Sequence, residues 1–93
     1  MDRTEALQLL GDELQAYKRR SYDELIQLVD RTEHYDRSSP SGKAYQIDIQ
    51  VLWDEEPKGT IRVIGAIDDG QFLSTMFPLS SDFIMSPDGL VRG

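Results

Sequence analysis

From Tyr45 to Trp53 the chain alternates: Tyr45, Ile47, Ile49, Val51 and Trp53 fall on one parity, and Gln46, Asp48, Gln50 and Leu52 on the other. Successive side chains of an extended strand point to opposite faces, so this run predicts a strand with one apolar and one mostly polar face. Such a strand is not stable alone. It needs neighbours for its backbone hydrogen bonds and a second layer over its apolar side. The rest of the sequence has to supply both.

The covering layer lies upstream. Leu7, Leu10, Leu14 and Tyr17 recur at helical intervals, and Ala6 widens the stripe, which predicts an amphipathic helix. Lys18-Arg19-Arg20 falls in its last turn, where positive charge complements the helix dipole. That explains the one basic cluster without a phosphate ligand. In Ser21-Tyr22-Asp23-Glu24 a serine is followed three positions later by a glutamate, the signature of a capping box. A second helix is therefore predicted from Tyr22 to about Arg31, burying Tyr22, Leu25, Ile26 and Val29.

The neighbouring strands follow from the same alternation. A short strand is predicted from Glu33 to Arg37, turning through Ser38-Ser39-Pro40-Ser41-Gly42. After Glu55-Glu56-Pro57-Lys58-Gly59, Ile61, Val63, Gly65 and Ile67 share a face. An odd-numbered loop pairs Trp53 with Ile61, Val51 with Val63 and Ile47 with Ile67, which keeps both apolar faces on one side. Gly65 then leaves a dip beside Ile49 into which a helical side chain can press. A fourth strand is predicted from Gln71 to Phe77, joined through Asp69-Gly70 in a type I′ hairpin that pairs Ile67 with Phe72. Phe83-Ile84-Met85 is read as a further strand or as a tail lying over the sheet.

The expected fold is thus α+β: two N-terminal helices packed on one face of a four-stranded antiparallel meander sheet, with a short C-terminal tail. Its 93 residues form a single domain, as domains of roughly 100 residues do. The helical part spans 1–32, the antiparallel sheet 33–79 and the tail 80–93.

Chemistry is scarce in this sequence. Asp68-Asp69 is an adjacent acid pair at a strand end, but a turn tip is solvated, and acid–base work needs a carboxylate displaced by burial or a close like charge. The spacing around Asp68-Asp69-Gly70-Gln71 does not make a calcium loop. His34, the one histidine, is expected on an exposed edge. There is no cysteine, no Gly-x-Ser-x-Gly and no phosphate-cradling glycine pattern. No catalytic residue, metal ligand or cofactor is assigned, and an enzyme is not the expectation. The formal net charge of −7 argues against a nucleic-acid surface. The lack of a long apolar run argues against a membrane span, and an acidic start argues against a signal peptide. Together these give a soluble, cytoplasmic chain.

Two surfaces remain as candidates. On the outer sheet face Leu52, Ile64, Leu73 and Phe77 exceed what a wet face requires, which suggests a protein interface or a homodimer unless the tail covers them. Between helices and sheet, Tyr17, Tyr22, Tyr45 and Trp53 are candidates to line a ligand pocket. A non-catalytic interaction or regulatory module is the leading functional expectation, acting through that outer face or through the acidic surface. The alternatives are a small-ligand-binding domain or minor enzyme, and an acidic immunity-type protein that neutralises a basic partner.

The string YQIDIQVLWDEEPKGTIRVIGAIDDG followed by PLSSDFIMSPDG resembles a group of small bacterial proteins of unassigned function. The likeness runs from Ser21 onward, through a Trp-Asp, Ile-Asp-Asp-Gly and Pro-Asp-Gly framework. It implies a bacterial, stand-alone domain and transfers no active site.

Overall fold

A computed structural model describes residues 1–55, 57–71, 76 and 78–93. The chain is α+β, with α1 (Arg3–Lys18) and α2 (Tyr22–Ile26) followed by β1 (Thr32–Ser38), β2 (Ala44–Trp53), β3 (Ile61–Asp68), β4 (Leu79–Met85) and β5 (Val91–Arg92). The strands form one sheet in the order β1-β2-β3-β4-β5, every pair antiparallel. Among the described residues the sheet has five strands, not four, and α1 supplies its cover, lying against β3 and β4.

Alternation in β2 does what the sequence demands. Tyr45, Ile47, Ile49 and Val51 are buried and the residues between them are exposed up to Leu52. The β2–β3 register is the predicted one, with Trp53 opposite Ile61, Val51 opposite Val63 and Ile47 opposite Ile67. Ile61, Val63 and Ile67 complete the inner face of β3, and Ala6, Leu10, Leu14 and Tyr17 close over it from α1. Leu7 is the exception in the predicted stripe. It is 42% exposed, because the buried line runs through Ala6 and Leu10 instead, one position round the helix.

The fourth strand differs from expectation. The partner of β3 is β4, so Ile67 faces Leu79, Gly65 faces Ser81 and Val63 faces Phe83. Most of the predicted strand 71–77, including Phe72, falls outside the described residues. Of the two readings of Phe83-Ile84-Met85, further strand or tail, the strand is the one found, and Phe83 and Met85 are core residues. Asp69-Gly70 is not a type I′ turn. That turn needs positive φ at both central residues, whereas Gly70 has φ 81° and Asp69 is not among the non-glycine residues with positive φ. Instead Asp68 Oδ1 accepts from Gly70 N at 2.9 Å and Asp69 Oδ1 accepts from Gln71 N at 3.1 Å. Aspartate side chains replacing ladder carbonyls in this way bend the chain without closing a hairpin.

α2 is also shorter than predicted. Ser21 Oγ accepts from Glu24 N at 3.1 Å, as a helix cap should, but the Glu24 carboxylate meets the Ser21 hydroxyl and not its amide. After Ile26 the bonds tighten to i→i−3, Leu28 to Leu25 and Val29 to Ile26. The free edge of β2 then captures the chain. Val29 forms a parallel bridge with Val51, Asp30 N donates to Val51 O at 2.9 Å, and Asp30 takes φ 66°. Sheet pairing at this edge outcompetes about one and a half further helical turns, and only Leu25 of α2 is fully buried.

Candidate functional site

The first three turns of α1 and the tip of the β1–β2 hairpin enclose an open groove of about 690 Å³. Local chemistry builds both walls. Asp2 caps α1, its Oδ1 accepting from Glu5 N at 3.1 Å, which holds a carboxylate at the helix start where the dipole favours it. One turn on, Glu5 Oε1 accepts from the Ser41 hydroxyl at 2.8 Å. Ser41 Oγ lies 2.8 Å from Ser39 Oγ, which also accepts from Lys43 N at 3.1 Å. This serine chain pins the hairpin tip to the helix. Asp12 closes the far end and accepts from Gln8 Nε2 at 3.1 Å. Leu9 and Pro40 give the groove its apolar walls. Asp2, Glu5 and Asp12 are all among its lining residues, and no lysine or arginine is.

Below the same end of α1, Tyr45 is 1% exposed, and its hydroxyl finds no hydrogen-bond partner among the described residues. Burial pushes its pKa up, and the negative fields of Glu5, Asp2 and Asp69 push the same way. The phenol is held neutral.

A second polar cluster sits where α1 ends beside β1. The Tyr17 hydroxyl bonds to the Glu33 carboxylate and lies 2.7 Å from the Tyr35 hydroxyl, which is 3.3 Å from the same Glu33 oxygen. Arg20 stacks over the Tyr17 ring at 4.5 Å and approaches Glu33 at 3.9 Å. Burial first, and then the bonds to Glu33 and Tyr35, drive the Tyr17 pKa far above its ordinary value. Proton abstraction by a phenolate requires the opposite displacement. The cluster is a polar clasp between α1 and β1. Arg37 extends it by pairing with both oxygens of Glu13, at 2.7 and 3.3 Å.

The residues singled out by sequence separate accordingly. Tyr17 and Tyr45 are core residues, while Tyr22 and Trp53 are packed on its rim. Of the four, only Tyr22 lines either of the two grooves described. Tyr22 borders a smaller cleft of about 250 Å³ with Pro87 and Asp88, and its hydroxyl donates to Gly59 O at 2.6 Å. Leu52 and Ile64 do share the half-buried outer face, with Leu52 opposite Arg62 and Ile64 opposite Gln50. Arg62 reaches across that face to Asp54 at 2.8 Å and to Asp82. Leu73 and Phe77 lie outside the described residues. His34 is exposed and pairs across the ladder with Asp48, Nδ1 to Oδ1 2.5 Å. Among the described residues no three metal-ligating side chains gather, and no helix is long and apolar enough to cross a membrane.

Sequence reasoning missed the groove. Asp2, Glu5 and Asp12 form no motif in the sequence, and only the fold of the serine-rich hairpin beside them makes a concavity. Compared with family models, curated proteins and solved structures, the chain matches none. The comparisons therefore confirm no resemblance to any group, small bacterial proteins included, and supply no activity.

Proposed function

We propose that this protein is a non-catalytic interaction module whose acidic groove receives a basic segment of a protein partner. The observation that carries this reading is the one-sided lining of the groove, with Asp2, Glu5 and Asp12 around apolar Leu9 and Pro40 and no cation among the lining residues. Lysine or arginine heads would pair with the carboxylates while their methylene stems cover the apolar walls. The net charge of −7 favours encounter with a basic partner over a long range and speeds association at low salt. Neutralising a basic partner, as an immunity-type protein does, is one instance of this chemistry.

A fluorescently labelled dodecapeptide of alternating lysine and leucine is the probe, read by anisotropy. Binding should weaken on the order of ten-fold in Asp12→Lys and much less in Asp48→Lys, which changes charge equally on the far side of the sheet. Equal loss in both variants, or no binding by the parent protein at millimolar concentration, would overturn the reading.

A further inference from the structure

Strand β1 ends the sheet. Among the described residues it pairs on one side only, with β2. Seven residues of ladder are thus open to another strand, and an open edge of this length is a template for pairing. Its sequence, Thr32-Glu33-His34-Tyr35-Asp36-Arg37-Ser38, limits what can pair there. Folded back on itself antiparallel about Tyr35, the strand sets Glu33 against Arg37, His34 against Asp36, and Thr32 against Ser38. Every charge meets a partner of opposite sign or a histidine able to take one, in addition to the pairs that Arg37 makes with Glu13, Glu33 with Tyr17 and His34 with Asp48 inside the protomer.

The backbone permits the same arrangement. Ser39 N donates to Lys43 O at 2.8 Å, and bonded and non-bonded pairs alternate along an antiparallel ladder. Continuing back from this pair, the amides and carbonyls of Thr32, His34, Asp36 and Ser38 face away from β2. In the Tyr35-centred register these outward groups meet one another, the Asp36 carbonyl, which already accepts from the Arg37 guanidinium at 3.0 Å, taking the second bond on its other lone pair.

Neighbouring registers fail. Side chains keep to their own face only if the strand shifts in steps that preserve parity. Centred on His34, the pairing sets Arg37 against Arg31, one residue before the strand, and leaves Glu33 opposite Tyr35. Centred on Asp36, it sets Asp36 against itself and leaves Glu33 opposite Ser39. Like charges directly opposite are destabilising.

We infer that β1 is a homodimerisation edge, joining two copies of this chain antiparallel about Tyr35 into one continuous ten-stranded sheet, as twice the observed five strands gives. The two-fold axis stands perpendicular to the sheet, so both α1 helices lie on the same side. The occupant is a second copy because the edge complements its own charge pattern. This surface is separate from the acidic groove, and either can fail without the other.

Sedimentation equilibrium of the full chain tests it, together with Asp36→Pro. The Asp36 amide faces the free edge, so proline there removes a bond between copies and spares the ladder to β2. The expected result is a concentration-dependent dimer that Asp36→Pro makes monomeric with its circular dichroism unchanged. Asp36→Lys should weaken dimerisation about ten-fold, since it sets a second positive group against His34. Hydrogen exchange on the unaltered protein gives an independent reading: the His34 and Asp36 amides should gain protection as concentration rises. A monomer at every concentration up to millimolar, or a dimer indifferent to Asp36→Pro and without protection at His34 and Asp36, would overturn the inference.

Discussion

Leu10 fills the space that a side chain at position 65 would need. A Cβ added to Gly65 would stand 2.7 Å from Leu10 Cδ1, with Ile49 Cδ1 at 3.1 Å and Leu14 Cδ2 at 3.3 Å. The helix thus seats on the sheet by pressing two leucines into the dip in β3. The φ of Gly65 is not positive, so glycine is required here for close approach and not for backbone freedom.

Gly65→Val should therefore destabilise the fold, although valine is a better strand former than glycine. Overpacking a filled core costs about 1–3 kcal/mol, and Leu10 is fully buried with little room to retreat. Urea unfolding followed by circular dichroism measures it. An unchanged or raised midpoint would mean that α1 sits further from β3.

Tyr45→Phe should leave stability unchanged or raise it. The buried hydroxyl finds no partner among the described residues, and an unsatisfied buried polar group costs about 1–3 kcal/mol. Thermal unfolding of the variant checks this. A clear loss of stability would show that the hydroxyl is bonded in solution.

Alkaline pH should unfold the protein cooperatively. Tyr17, Tyr22 and Tyr45 all have pKa values raised in the fold, chiefly by burial. A group with a raised folded pKa contributes stability that is intact below its unfolded value, about 10 for tyrosine, and is lost as pH climbs above it. Absorbance at the phenolate band should rise in step with loss of circular dichroism above about pH 10. Ionisation of these phenols well before unfolding would contradict the packing.

Ser21→Ala should cost about 1 kcal/mol, the usual effect of losing a helix cap. Ser21 accepts from Glu24 N at 3.1 Å, and the helix it starts has five residues, so no other turn compensates. The change is read as a shift in urea midpoint at constant slope. Serine replaced by aspartate, which also caps, should restore it.

The legible part of this fold was the part written in alternation. Tyr45 to Trp53 and Ile61 to Ile67 determine their own face and each other's register, because slipping either by one residue would turn the whole apolar set outward. Helical spacing likewise gave α1 and its buried Ala6, Leu10, Leu14 and Tyr17, missing only that Leu7 lies off the buried line. The partner of β3 was not legible. Asp-Gly is a strong local hairpin signal, yet Phe83 and Met85 compete for the same inner face from further along the chain, and a local signal carries no information about a distant competitor. Nor was the groove, since its acids face a hairpin tip that lies about 30 residues away in sequence and meets the helix through the Glu5–Ser41 bond. The polar clasp of Tyr17, Glu33 and Tyr35 was hidden for the same reason: a carboxylate on a strand reads as solvated until a helix brings hydroxyls to it.

The seating of α1 on β3 and β4 has a temporal side. Each ladder joins strands adjacent in the chain, so the sheet can zip hairpin by hairpin. The helix is the exception, because its seat includes Phe83, over which Lys18 is poised at 5.6 Å. On the ribosome the element synthesised early must wait, its apolar stripe uncovered, until the strand synthesised late has emerged. During that interval Leu10 and Leu14 are what a chaperone would grip.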